Sequence, residues 1–90
     1  PGVLLVETMA QVGGILVLHN VDEPERYSTY FLKIERLKFR HKIIPGDTII
    51  VRADMTEPIR RNIVIMYCQA FVGEKVVAEG EMTAQVIKNK

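Results

Sequence analysis

The chain has 90 residues, 48% apolar and 26% charged, with a formal net charge of +1, the balance of a single globular domain whose modest core a second subunit would naturally help to cover. The near-neutral charge gives no general case for nucleic acid. Cys68 is the only cysteine, which excludes an internal disulfide or a thiolate zinc cluster and makes a reducing cytoplasm the default location.

The chain starts at Pro1 without a basic leader and reads as a piece cut from a longer polypeptide. Residues 3–18 predict a helix: Pro-Gly precedes them, good helix formers fill them, and Asn20 offers a stop. Apolar residues lie all round that helix, so it is expected to be enclosed by the rest of the domain. Its length raises a membrane question. Spanning takes about 20 mostly apolar residues, whereas this stretch holds Glu7, Gln11 and the Gly13-Gly14 pair, so a buried helix without membrane insertion is expected. Each of those glycines weakens a helix interior by roughly 1 kcal/mol relative to Ala, and a sheet packed closely against both would explain them.

From residue 29 onward the pattern alternates, and the remainder predicts antiparallel sheet. Residues 29–43 read as a long strand or a bent pair, with Arg36, Lys38, Arg40 and Lys42 on one face and Leu37, Phe39, His41 and Ile43 on the other. Pro45-Gly46-Asp47 makes a turn. In residues 48–56, Ile49, Val51, Ala53 and Met55 alternate against polar partners, and residues 57–62 connect onward. Residues 63–72 are apolar on both faces and predict a central strand or one lying under an interface, and Gly73-Glu74 closes a hairpin into the last one. There Val76, Ala78, Met82, Ala84 and Val86 oppose Lys75, Glu79, Glu81 and Gln85. The fold class is α+β: one long helix with about four antiparallel strands wrapped round it.

Glu7 carries the most chemical interest. A carboxylate buried among Val3, Leu4, Val6, Met9 and Val12 must be either neutral or held by donors, and Gln11, one turn on, is placed to orient it. The alternative, that both face water through a gap in the sheet, stands equally on spacing alone. Gly2 lies where unpaired N–H groups and the positive dipole end meet a developing negative charge; it also reads as an ordinary Pro-Gly turn. His19 falls at the far helix end and His41 in a strand without triad or metal partners, so neither is assigned a catalytic role. Cys68 reads as core. The basic residues Arg36, Lys38, Arg40 and Lys42, with Arg60 and Arg61 in a later turn, suit a phosphate or an acidic protein surface, or a plain solvated face. No aromatic interleaving supports nucleic acid.

The segments PGVLLVETMAQVGGIL, YFLKIERLKFRHKIIPGDTIIV and GEKVVAEGEMTAQV resemble the hot-dog-fold 3-hydroxyacyl-acyl carrier protein dehydratases of bacterial fatty acid synthesis. The resemblance covers nearly all of the chain. Within that family it is similar to the dehydratase domain that some bacteria carry fused behind a lipid A pathway deacetylase. It implies dehydration of a (3R)-hydroxyacyl thioester to the trans-2-enoyl thioester, with no metal and no cofactor. Glu7, Gln11 and Gly2 match the family's acid, its supporting amide and its carbonyl-polarising N–H. The family's histidine, on a loop before the Pro-Gly motif, has no match. Residues 1–90 are therefore expected to be one hot-dog domain lacking its first edge strand and histidine loop, and inactive alone. The resemblance further implies acyl carrier protein as partner, a homodimer or trimer of dimers, Phe31 and Leu32 as acyl-chain contacts, and the basic residues as carrier contacts. The competing readings are a hot-dog thioesterase and a non-catalytic acyl-carrier binding module.

Overall fold

The computed structural model describes residues 2–89; Pro1 lies outside them. Helix α1 runs Gly2–His19, a short 3-10 turn spans Pro24–Arg26, and four strands follow: β1 Tyr27–Phe39, β2 Ile50–Met55, β3 Ile63–Val72 and β4 Lys75–Lys88. The strands form one antiparallel sheet in the order β1-β4-β3-β2. The doubly apolar segment 63–72 is an interior strand, one of the two places its pattern allows.

Three turns set the sheet's connections. At Ile44–Asp47 the Asp47 N–H donates to Ile44 O at 3.1 Å and the Asp47 carboxylate accepts from the Ile44 N–H at 2.9 Å, around Gly46 at φ 96°, the geometry that Pro-Gly favours. Between β2 and β3, Arg61 and Asn62 both take positive φ, with paired main-chain bonds between Arg60 and Ile63, the arrangement of a type I′ hairpin. Gly73 at φ 61° closes the third.

The core lies between one stripe of α1 and one face of the sheet. Leu5, Met9, Gly13 and Val17, spaced by four, are buried against Val64, Met66, Cys68 and Ala70 of β3 and Ala78, Met82, Ala84 and Val86 of β4. Paired register explains the match: Val64 lies opposite Ala84, Met66 opposite Met82, Ala70 opposite Ala78. Burying the Leu, Met and Val side chains among them stabilises by about 1.5–3 kcal/mol each.

The helix is covered on that side only. Val3, Leu4 and Ile15 are 80%, 64% and 70% exposed, which corrects the expectation of an enclosed helix: four strands make a layer, and a layer covers one face. The glycine pair divides in the same way. A Cβ on Gly13 would come within 3.2 Å of Met66 Sδ and Cε, whereas nothing approaches Gly14 within 4 Å, because the next residue is turned by about 100°. No helix among the described residues is long and apolar enough to cross a membrane.

Strand β1 departs from simple alternation twice. Its register against β4 shifts between Phe31 and Lys33 and again between Glu35 and Lys38, and each one-residue bulge exchanges the two faces. Thr29 and Phe31 pair with Val86 and Ala84 on the helix side; after the bulge at Leu32, Ile34 takes that side opposite Met82 while Lys33 and Glu35 pair outward. Arg36, at φ 53°, forms the second bulge. Leu37 and Phe39 then return to the helix side.

Candidate active site

Glu7 stands in the second turn of α1 on its uncovered side, exposed within the single chain. Its expected burial is thus not met by this chain's own residues, for the same reason that leaves Val3 and Leu4 open. The link to Gln11 is present: Gln11 Nε2 donates to Glu7 Oε1 at 3.2 Å, so the turn-apart spacing does orient the carboxylate. Glu7 shares an apolar groove of about 480 Å³ with Val3, Val6, Leu37 and Phe39. A larger groove of about 810 Å³ adjoins it, with Leu4, Thr8, Phe39, His41, Ile44 and Asp47 in its wall. Volumes in this range suit small-molecule ligands.

The two grooves meet at Phe39, which lines both. Its place depends on the second bulge, since an unbroken alternation from Ile34 would turn Leu37 and Phe39 away from the helix. Gly80 makes room for the bulge: a Cβ there would lie 3.3 Å from Leu37 Cα and Cδ1. Gly2 is the first helical residue, so its N–H belongs to the unpaired set at the positive end of α1. The Glu7 Cα stands about 7.5 Å along the helix axis from Gly2, and Gln11 lies one turn further on.

Phe31 and Leu32 line neither groove. The Phe31 ring faces Gly13, 3.8 Å from where a Cβ would be, and Leu32 is the exposed bulge residue. Leu37 and Phe39 occupy the places beside Glu7. They share the helix-side face with other apolar strand residues, and nothing in their local sequence marks them out.

The basic residues fall into two groups. Arg36 pairs with Glu81 at 3.7 Å, Arg40 pairs with Glu79, and Lys33 pairs with Glu35 at 2.9 Å. The Lys33 ammonium holds the exposed Glu35 carboxyl below its usual range, by hydrogen bond first and charge second. Lys38 and Lys42 have no ion pair among the described residues, and Lys42 lies beyond the end of β1. Arg60 and Arg61 sit on the turn at the opposite end of the sheet, where Ile63 pairs with Gln85 rather than near Ala78. Along β4, Gln85 lies four residues beyond Glu81, the partner of Arg36, and eight beyond Val77, the partner of Arg40, roughly 13–26 Å, so the turn arginines stand apart from the β1 group. His19 ends α1 as expected. His41 lies in the irregular segment after β1 and lines the larger groove, where the alternating pattern had assigned it to a strand.

Residues 1–81 match the FabA-like domain family. This chain belongs to that family. The FabA-like domain is 63% identical over all 90 residues to the bifunctional enzyme LpxC/FabZ of Bacteroides thetaiotaomicron and 54% identical to that of Porphyromonas gingivalis, in each case spanning 20% of the relative. It is 41% identical to the 3-hydroxyacyl-(acyl-carrier-protein) dehydratase FabZ of Ehrlichia canis, spanning 62% of it. The FabA-like domain thus covers a fifth of the bifunctional relatives and less than two thirds of the dehydratase. Its backbone matches a hot-dog-like protein from Thermanaerovibrio acidaminovorans with a TM-score of 0.78 at 19% identity, over 93% of this chain and 59% of that one. At that identity the likeness is one of fold, and it establishes the hot-dog architecture that the sequence resemblance implies.

Proposed function

We propose that this domain belongs to an enzyme that dehydrates a (3R)-hydroxyacyl-acyl carrier protein to the trans-2-enoyl form in fatty acid synthesis, and that residues 1–90 supply half of its acid–base pair. The observation that carries the reading is Glu7, held by Gln11 in an apolar groove at the N-terminal end of α1, in a chain whose relatives carry the dehydratase name.

In this mechanism a base removes the proton next to the thioester carbonyl, and the base is a histidine contributed from outside residues 1–90. Charge moves onto the thioester oxygen, where the Gly2 N–H donates to it. Glu7 delivers a proton to the departing hydroxyl, which leaves as water, and the double bond forms. The apolar wall of Leu37 and Phe39 excludes water from the developing charge and contacts the acyl chain.

Completion of the site by a second copy is part of the proposal. It is supported by the exposed Val3, Leu4 and Ile15 around Glu7 and by the exposed Tyr30, Leu32 and Ile34 on edge strand β1, an extent of apolar surface that marks an interface. Acyl carrier protein, which is acidic, is proposed to dock through Lys38 and Lys42 beside the groove, with Arg60 and Arg61 as a separate contact. A cytoplasmic location accords with the lone thiol of Cys68.

The test is product analysis on the complete protein with a hydroxyacyl thioester. Enoyl thioester is the expected product; free acid and thiol indicate a thioesterase, and no turnover with retained binding indicates a non-catalytic module. Glu7→Gln is expected to lower kcat by about a hundredfold or more with the oligomer intact, and near-normal turnover refutes the role.

A further inference from the structure

The sheet face turned away from the helix carries a polar cluster that the acid–base chemistry does not use. Glu79 of β4 is its centre. Its side chain is only 14% exposed, and both oxygens are engaged: Oε1 accepts from the Tyr67 hydroxyl on β3, and Oε2 accepts from Arg40 Nε just past the end of β1. A carboxylate this far from water is costly unless donors surround it. These two tie β3, β4 and the end of β1 together at one level.

Arg40 is held twice. Besides its side-chain bond, its main-chain N–H donates to Val77 O at 2.8 Å. The His41 N–H donates to the same oxygen at 3.4 Å, and this shared acceptor is the last main-chain anchor on β4 before residues 42–49; His41 and Ile44 form part of the wall of the larger groove. On its other side is Phe39, in register with Ala78 and shared by both grooves. Phe39 is itself 53% exposed, so packing on its ring does not fix it; the direction of the backbone does. That direction is set where Arg40 is clamped.

We infer that Glu79 is a positioning residue for the substrate groove: through Arg40 it fixes Phe39 and the start of the 41–49 wall, so that Arg40 serves the groove rather than the carrier protein. The inference rests on the groove beside Glu7 being the acyl site.

The experiment uses the complete protein and compares Glu79→Ala, Phe39→Ala and the double variant. Binding is measured to a (3R)-hydroxyacyl pantetheine amide, which has nitrogen in place of the thioester sulfur, and turnover is measured with the pantetheine thioester and the carrier-linked thioester. Glu79→Ala is expected to raise the Kd of the amide and the KM of both thioesters about tenfold, with kcat little changed. In the Phe39→Ala background the same change is expected to cost less than about twofold, because residues acting through one another are not additive. Glu79→Gln keeps an acceptor oxygen and is expected to show a smaller effect of the same kind, which maintains the test should the alanine variant fail to fold.

An unchanged Kd and KM overturns the inference. So does a loss confined to the carrier-linked substrate, which would make Arg40 a carrier contact, or an equal loss in both backgrounds, which would make Glu79 merely structural. Wild-type protein that binds the amide but makes no enoyl product refutes the dehydratase reading, while the Kd comparison still decides the role of Glu79. Wild-type protein that binds no amide removes the groove assignment and the inference with it.

Discussion

Leu37 lies directly over Gly80, so close that a Cβ on the glycine would come within 3.3 Å of the leucine's Cα and Cδ1 and 3.5 Å of Glu35 O. The contact joins the core of β4 to the bulge that aims Leu37 and Phe39 at the groove. Because main chain is among the neighbours, the bulge itself must move to admit a side chain. Gly80→Ala is expected to cost on the order of 1 kcal/mol and Gly80→Val about 2–3 kcal/mol, read from denaturant midpoints. The valine variant should also raise KM for the acyl thioester, since the groove wall shifts with the bulge. Wild-type stability and KM for Gly80→Val would refute this account of the bulge.

Gln11 and Glu7 form an exposed pair whose value should be functional rather than structural. Gln11→Ala is expected to change stability by less than about 0.5 kcal/mol and to lower kcat about tenfold by freeing the carboxylate from its orientation. Melting curves and steady-state kinetics on the same preparation separate the two. A large loss of stability with normal turnover per folded molecule would assign Gln11 to the fold instead.

Cys68 provides a pH test of the core. Burial, with a smaller contribution from the charge of Asp54, pushes its thiol from 9.0 up to about 11. The folded state therefore keeps the proton more tightly than the unfolded chain does. Its contribution to stability is full below pH about 9 and is lost as pH rises towards about 11. The difference in unfolding free energy between wild type and Cys68→Ala should narrow over that window. At pH 8 the native thiol should resist modification that proceeds after unfolding. A thiol that reacts at the same rate before and after unfolding would contradict the burial.

Strand β2 has β3 on one side and forms the other edge of the sheet, with Ile50 65% exposed. An apolar edge is a template for association. On the proposal that an upstream strand completes the sheet there, residues 1–90 alone should melt lower and self-associate more than the complete protein. Differential scanning calorimetry and light scattering provide the comparison; equal melting temperatures and monodispersity for both would refute it.

Periodicity and turn chemistry make much of this domain legible in one dimension. The helix, the strand at residues 63–72, the Ile44–Asp47 turn and the Glu7–Gln11 link are local features: the residues that produce them lie within a few positions of each other, and short-range sterics and hydrogen bonds decide the outcome. The family resemblance adds the proposed roles of Glu7 and Gly2, which spacing leaves open.

The tertiary structure decided the rest, and in each case the deciding partner is distant in the chain. Lys33, Glu35, Leu37 and Phe39 have the same parity in β1, yet two bulges send the first pair outward and the second pair to the groove; the one-residue shifts are defined only against β4. Glu79 reads as one polar residue of an alternating strand until β3 brings Tyr67 and the end of β1 brings Arg40 to its two oxygens. Arg36 and Arg40 look like free positive charge until Glu81 and Glu79 are found beside them, and Arg60 and Arg61 look like their neighbours until the sheet places them at its other end. Sequence alone determined what each segment is. Register and strand order determined which side chains meet, because a single inserted residue exchanges the faces of a strand while leaving its composition almost unchanged.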